Sequence, residues 1–245
     1  TKNNYKVVAV TRNIHQKGYI LKTQANPGYL EIVELTYFNI EKIKSLVEEC
    51  SICINLIGIL FEKRKNLFKN IHTDFPDLLS KLSAKKNIEK LIHLSSLGIE
   101  KSLDSNYAIS KLEGENKIKN NFDRVVVLKP SIVYSVDDNF TTNFMTLLNR
   151  LPIIPIYYEG KTKFAPIHVT DLAQIIFDVV QGKTNEQTIE CIGPEIISFK
   201  EIILKLLKTI DKKRLLIPLP LVISKMTAKI FEIMPNPLIT VDQIN

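Results

Sequence analysis

Tyr107-Ala108-Ile109-Ser110-Lys111 sets a phenol and an ammonium four residues apart, hence on one face of a helix. A cation held beside a phenol favours the phenolate, so such a pair can move a proton as general acid and base in hydride transfer. The spacing alone is a weak signal, because Tyr157 and Lys161 repeat it in a stretch without helical periodicity. Context separates the two. Tyr107 opens a helical pattern that follows an apolar run ending in Ser95 and Ser96, and a second apolar run comes after it. Cys50 and Cys53 form a nominal C-x-x-C, but Cys50 ends a helical pattern and Cys53 enters a strand-like one. Redox pairs of that form start a helix, which lowers the thiol pKa, so no redox role is expected here. His15, His72, His93 and His168 are scattered without ligand spacing, and no metal site is expected.

The composition narrows the field further. Only 8 of 245 residues are glycine, and no group of them makes G-x-G-x-x-G or G-x-x-x-x-G-K-[ST]. The chain therefore shows no complete phosphate-cradling loop of either standard kind. A hydrophobic fraction of 45% with 24% charged residues is that of a globular protein. The net charge of +7 raises nucleic acid, anionic lipid and phosphate ligands as partners. The 33 basic residues are nearly all lysine and are spread along the chain. Local clusters at Lys63, Arg64, Lys65 and at Lys212, Lys213, Arg214 read as solvated surface, with a lipid or acidic partner as the alternative. No zinc-finger spacing or RNP-type motif is present, so nucleic acid is not an expected partner. Three cysteines point to a reducing compartment without a disulfide framework. The longest apolar run, residues 52–61, falls far short of the roughly 20 residues that span a bilayer.

The elements that must position these groups alternate. Residues 6–10, 30–35, 52–57, 90–94 and 124–128 read as strands, the third apolar on both faces as parallel strands are. Residues 40–49, 71–84 and 107–119 carry helical spacing between them. That order predicts an α/β fold, a doubly wound parallel sheet with helices on both faces. Beyond Pro130 the pattern loosens: helix over 140–149, extended chain over 151–158, and a helix capped by Thr170 or Asp171 and running to Val180. Ser198 and Glu201 have the capping-box form and open a helix through Leu207. Residues 215–221 read as extended, and Val222, Ile223, Met226, Ile230, Phe231 and Met234 form one helical stripe of a small lobe.

With these residues in place, the sequence resembles the short-chain dehydrogenase/reductase superfamily in its extended and atypical branch. Tyr107 and Lys111 match that family's Y-x-x-x-K pair; Lys129-Pro130-Ser131-Ile132-Val133-Tyr134 resembles its R-P-x-x-[VI]-[YF]-G segment, with Ser135 in place of the last glycine. Val169, Asp171, Leu172 and Ala173 match its V-x-D-[VL]-A helix start. Asn55-Leu56-Ile57-Gly58, His93-Leu94-Ser95-Ser96, Lys111-Leu112-Glu113-Gly114, Phe164-Ala165-Pro166 and the ending from Pro235 to Asp242 are similar to one subgroup. That subgroup is the NAD(P)H-binding accessory subunits of respiratory complex I and their bacterial relatives.

The resemblance implies a Rossmann-like sheet of order 3-2-1-4-5-6 with a small C-terminal lobe. It also implies an opening strand, glycine turn and helix, about 30 residues, ahead of the first strand seen here. The chain begins at Thr1 and shows no such unit, so that piece is expected upstream. Residues 1–134 are then the nucleotide-binding domain without its first βα unit, with 164–193 returning to it. The lobe takes 194–245 with a contribution from 135–163. In the family the Tyr is the acid/base and the Lys holds the nicotinamide ribose, roles that fall on Tyr107 and Lys111. Ser95 and Ser96 lie beside the place where active members polarise a carbonyl, a place that Leu97 takes here. Asn55, Leu56, Ile57 and Gly58, with Pro130, Ile132 and Val133, would contact the cofactor. Thr11-Arg12-Asn13 replaces the acidic residue that selects NAD, and Arg12 would bind a 2′-phosphate, so NADP(H) is favoured over NAD(H). Glu34 and Leu35 fall near the adenine. Complex I subunits or a membrane surface are the implied partners, on the matrix side of the mitochondrial inner membrane or the cytoplasmic face of a bacterial one. An oxidoreductase, epimerase or dehydratase acting on a nucleotide-sugar, quinone or isoprenoid substrate is the alternative.

Overall fold

The computed structural model describes residues 3–35, 39–62, 64, 66–136, 138–219 and 242. Two compact units divide the chain, 1–50 and 51–245. The first holds β1 (Val7–Thr11), α1 (Ile14–Thr23), β2 (Leu30–Glu34) and α2 (Ile40–Glu48). Its strands pair in parallel, Val7 with Leu30 through Thr11 with Glu34. Asn39 caps α2 by accepting from the Lys42 amide, and Ile43 and Val47, four residues apart, are its buried positions. The helix α1 carries no apolar stripe strong enough to announce it in the sequence. The apolar run in β1 predicts burial, yet Val7, Val8 and Val10 are exposed among the described residues.

The second unit continues with β3 (Ile52–Asn55), a π-helical turn (Lys69–Asp74), α3 (Phe75–Lys86), β4 (Lys90–Leu94), α4 (Asn106–Asn121), β5 (Val125–Pro130) and β6 (Val133–Tyr134). Then follow α5 (Asn139–Arg150), β7 (Ile153–Tyr157), β8 (Lys163–Phe164), β9 (Ile167–His168), α6 (Val169–Val180) and β10 (Thr188–Cys191). The series ends with β11 (Ile197–Ser198), α7 (Phe199–Thr209) and β12 (Leu215–Leu219). Its main sheet is parallel in the order β10-β5-β4-β3. The fold is the Rossmann-like α/β arrangement that the alternation predicts.

Side chains of successive strand residues point to opposite faces, which sorts the core. Ile92, Val126 and Leu128 pack with Leu172 and Val179 of α6 on one face. On the other, α3 and α4 pack on each other and against β4 and β5. All six residues of β5 are buried, because helices cover both faces of this strand. A second cluster joins Phe144 and Leu148 of α5, Ile154 of β7, and Ile203 and Leu207 of α7, with Leu216 of β12 against it. Ser198 and Glu201 form the expected capping box of α7.

Two expectations are corrected, and one strand is unexpected. The predicted helix over 71–84 begins as a π turn and becomes α-helical only at Phe75, with Pro76 in its first turn, where a missing amide donor costs nothing. The cap of α6 is His168, whose Nδ1 accepts from the Thr170 amide at 3.3 Å, and not Thr170 or Asp171. The strand β10 (Thr-Ile-Glu-Cys), an alternation only four residues long, is not among the expected elements and lies beside β5 at the edge of the sheet. The predicted stripe from Val222 to Met234 lies outside the described residues.

Candidate functional site

Parallel strands bring their carboxyl ends to one edge of a sheet, the edge where ligands bind in open α/β folds. Asn55 ends β3, Leu94 ends β4 and Pro130 ends β5, so sequence-distant residues converge there. Past the strand ends the backbone stays tied: the Ser95 amide donates to Leu128 O at 2.8 Å and the Leu97 amide to Pro130 O at 3.0 Å. Further on, Ile132 O accepts from the Ile167 amide. Ser95, Ser96, Pro130, Ile132 and Val133 thus lie on segments tied together at this edge.

α4 runs beside this edge. Ser105 is its N-cap, accepting from the Ala108 amide at 3.2 Å, and Tyr107 and Lys111 lie one turn apart on it. The Lys111 ammonium is 5.9 Å from the centre of the Tyr107 ring and donates to Leu94 O at 3.1 Å. Burial lowers Lys111 to about 8, against the pull of the Glu115 carboxylate that raises it. Burial pushes the half-buried Tyr107 phenol upward, while a hydrogen bond with Ser96 works the other way.

The two adjacent serines have different partners. Ser96 reaches the Tyr107 phenol. Ser95 is buried and donates its hydroxyl to Glu115, so that hydroxyl is engaged in the protein interior. Glu115 in turn pairs with Lys129 at 2.9 Å, and Lys129 also pairs with Glu100. Against the burial that would lower it, those carboxylates hold Lys129 above its ordinary value. Such a group is stable only when each charge has its partner.

Two histidines that the sequence left without a role sit inside the site. His72 Nε2 accepts from the Ile59 amide at 3.1 Å, so the neutral ring carries its proton on Nδ1, 3.0 Å from Ser110 Oγ. Ser110 passes the chain on, donating to Tyr107 O at 2.9 Å. The His72 ring stacks on Phe68 and meets Tyr107 edge to face at 5.3 Å. His93 pairs its Nδ1 with Asn55 Nδ2 at 3.1 Å, while Asn55 Oδ1 accepts from the Ile57 amide. The His93 proton is thus on Nε2, which has no hydrogen-bond partner among the described residues. Burial first, and the nearby Lys111 charge second, bring both rings down to about 3. Only the tertiary fold reveals these partners, which lie 38 residues from His72 and from His93.

Close packing completes the arrangement. A Cβ on Gly114 would lie 1.9 Å from His72 O, so only glycine lets α4 rest against the π turn. A Cβ on Gly58 would lie 3.5 Å from Lys111 Nζ, which places Gly58 beside the ammonium. Leu56 and Ile57 are exposed apolar side chains on that segment. In the first unit, Arg12 is exposed just past β1, and Leu35 donates to Thr11 O at 2.9 Å, so Arg12, Glu34 and Leu35 share one strand end. Tyr157 and Lys161, the other Y-x-x-x-K spacing, flank a short 3-10 turn and not a helix. No metal-holding group of side chains occurs among the described residues, and no helix there is long and apolar enough to cross a membrane.

No family model matches the chain. In sequence it is similar to mitochondrial NADH dehydrogenase [ubiquinone] 1 alpha subcomplex subunit 9 of Mus musculus, 24% identical over 230 residues, covering 91% of this chain and 60% of the relative. The Dictyostelium discoideum protein of the same description is 28% identical over 182 residues, covering 74% of this chain and 50% of the relative. The chain thus spans between half and 60% of the length of these curated relatives. Among solved structures, a dTDP-glucose 4,6-dehydratase of Streptomyces venezuelae with NAD bound superposes with a TM-score of 0.72 at 15% identity, over 87% of this chain and 75% of that one. A dTDP-4-dehydrorhamnose reductase of Bacillus anthracis in complex with NADP gives 0.67 at 19% identity, over 88% and 84%.

Proposed function

We propose that this chain is the nucleotide-binding part of an accessory subunit of NADH:ubiquinone oxidoreductase, complex I, of the atypical short-chain dehydrogenase type, and that it holds NAD(P)H as a structural ligand. The state of the Tyr107–Lys111 pair carries this reading. The phenol is pushed up by burial and the ammonium donates to Leu94 O. A tyrosine prepared for proton transfer at neutral pH needs the opposite shift. The donor set nevertheless fits a nucleotide: Lys111 is a buried cation whose one described hydrogen bond leaves donors for ribose hydroxyls. A bound nicotinamide would bring hydride chemistry; here Lys111 would hold its ribose, with Asn55, Leu56, Ile57, Gly58, Pro130, Ile132 and Val133 as further contacts. In the first unit, Arg12 suits a 2′-phosphate bidentately, which favours NADP(H), and Glu34 and Leu35 suit the adenosine end. The similarity to complex I subunits and the net charge of +7 support complex I or an anionic membrane face as the partner. A peripheral place on the mitochondrial matrix side, or on the cytoplasmic face of a bacterial membrane, follows from that partner.

The Ser96–Tyr107 contact favours a second reading, an NAD(P)-dependent oxidoreductase or epimerase. Equilibrium titration of the protein and its Lys111→Met variant with NADPH and NADH, beside native fractionation with complex I, separates them. Expected are tighter binding of NADPH than NADH, a loss of about tenfold in the variant, and co-migration with complex I. Binding of neither nucleotide sinks both readings, and turnover that vanishes in Tyr107→Phe selects the second.

A further inference from the structure

The first amides of a helix have no acceptor within it, and a Ser N-cap hydroxyl commonly accepts from one of them, at the second or third position. In α4 the Ser105 hydroxyl serves Ala108, so Asn106 and Tyr107 must find acceptors elsewhere. They find the same carboxylate. Asp242 Oδ1 accepts from the Asn106 amide at 2.6 Å, and Oδ2 accepts from the Tyr107 amide at 3.1 Å and from Ser105 Oγ at 2.8 Å. Both oxygens are engaged, and the residue that supplies them lies 135 positions beyond Tyr107. A negative charge here also opposes the positive end of the helix dipole.

We infer that Asp242 is a positioning residue for Tyr107: it fixes the first turn of α4 from the far end of the chain and so sets where that turn presents the phenol. Tyr107 is then held along its backbone, its amide by Asp242 and its carbonyl by Ser110. Ser110 is bonded to His72, which holds the Ile59 amide, so the cap also steadies the segment beside Lys111. Asp242 thus belongs to the site by contact, although nothing in its spacing to Tyr107 announces it.

The test is amide exchange by NMR in the full protein and in Asp242→Ala, with Asp242→Asn as the milder variant and Ser105→Ala to close a double-mutant cycle. Exchange at Asn106 and Tyr107 is expected to accelerate about tenfold in Asp242→Ala and less in Asp242→Asn, with the amides of β5 unchanged. The Asp242→Ala and Ser105→Ala effects are expected to be less than additive. Unchanged exchange at both amides, or equal acceleration in β5, overturns the inference. Its consequence for ligand rests on the nucleotide reading above, acts through the Ser110–His72–Ile59 chain beside Lys111 and not through the phenol, and is measured separately: NADPH is expected to bind Asp242→Ala about three- to tenfold more weakly. Released amides with unchanged NADPH affinity overturn the role at the site. If the unaltered protein binds no nucleotide, the proposed function falls, while the exchange data still decide the cap.

Discussion

The first and third turns of α4 meet their surroundings in opposite ways. At the first turn, Tyr107 is half-buried and its neighbours Asn106 and Ile109 are exposed, and its polar atoms are held by single hydrogen bonds. At the third, Gly114 rests on the π turn with no room for a methyl, and Glu115 is buried between Ser95 and Lys129. One helix thus carries a buried ionic anchor and a capped, half-exposed first turn, with Lys111 between them. The anchor works because a desolvated charge tolerates no loss of partner, whereas the first turn is held by Asp242 through hydrogen bonds at a half-exposed position, where losing one costs less.

The largest effect should come from breaking the anchor. Glu115→Ala leaves Lys129 with only the half-exposed Glu100, and urea unfolding should show a loss of about 3–5 kcal/mol; a loss under about 1 kcal/mol would mean that both ends of α4 are equally forgiving. Acid should act next, through the histidines between the two ends. His72 and His93 are neutral in the fold at about 3 and titrate near 6.5 when unfolded. Their contribution is complete above about pH 6.5 and is lost as pH falls toward 3, at up to roughly 1.4 kcal/mol per pH unit for each. Unfolding midpoints measured from pH 7 to 4 should fall less steeply in His72→Gln than in the unaltered protein, and parallel slopes would exclude His72 as a source. The smallest change is expected at the first turn. Tyr107→Phe removes one hydrogen bond to Ser96 and should shift stability by no more than about 1 kcal/mol, with NADPH affinity unchanged if the nucleotide is structural; calorimetric titration reads both.

Much of this frame is legible in the residues. Lys90 to Leu94 is a strand over the predicted span, and the capping box at Ser198 opens α7 as expected, because apolar period and local capping act within a few residues. Tyr107 and Lys111 share a helix face for the same reason. The parity of Ser95 and Ser96 is not readable that way: both follow the same strand, and which hydroxyl turns inward depends on Glu115, 20 residues further on. Arg12 past β1 is equally visible in the sequence, whereas the exposure of the valines in β1 is not, since burial depends on what else packs there.

By itself the sequence determined the alternation of strand and helix, the pairing of Tyr107 with Lys111, and the absence of a complete phosphate loop within the chain. Those follow from periodicity and spacing, which are local. Only the tertiary structure decided the charge states and the partners: the neutral tautomers of His72 and His93, the lowered ammonium of Lys111, the buried pairing of Glu115 with Lys129, and the carboxylate of Asp242 on the first turn of α4. Desolvation and long-range hydrogen bonds set these, and neither exists until distant segments have packed.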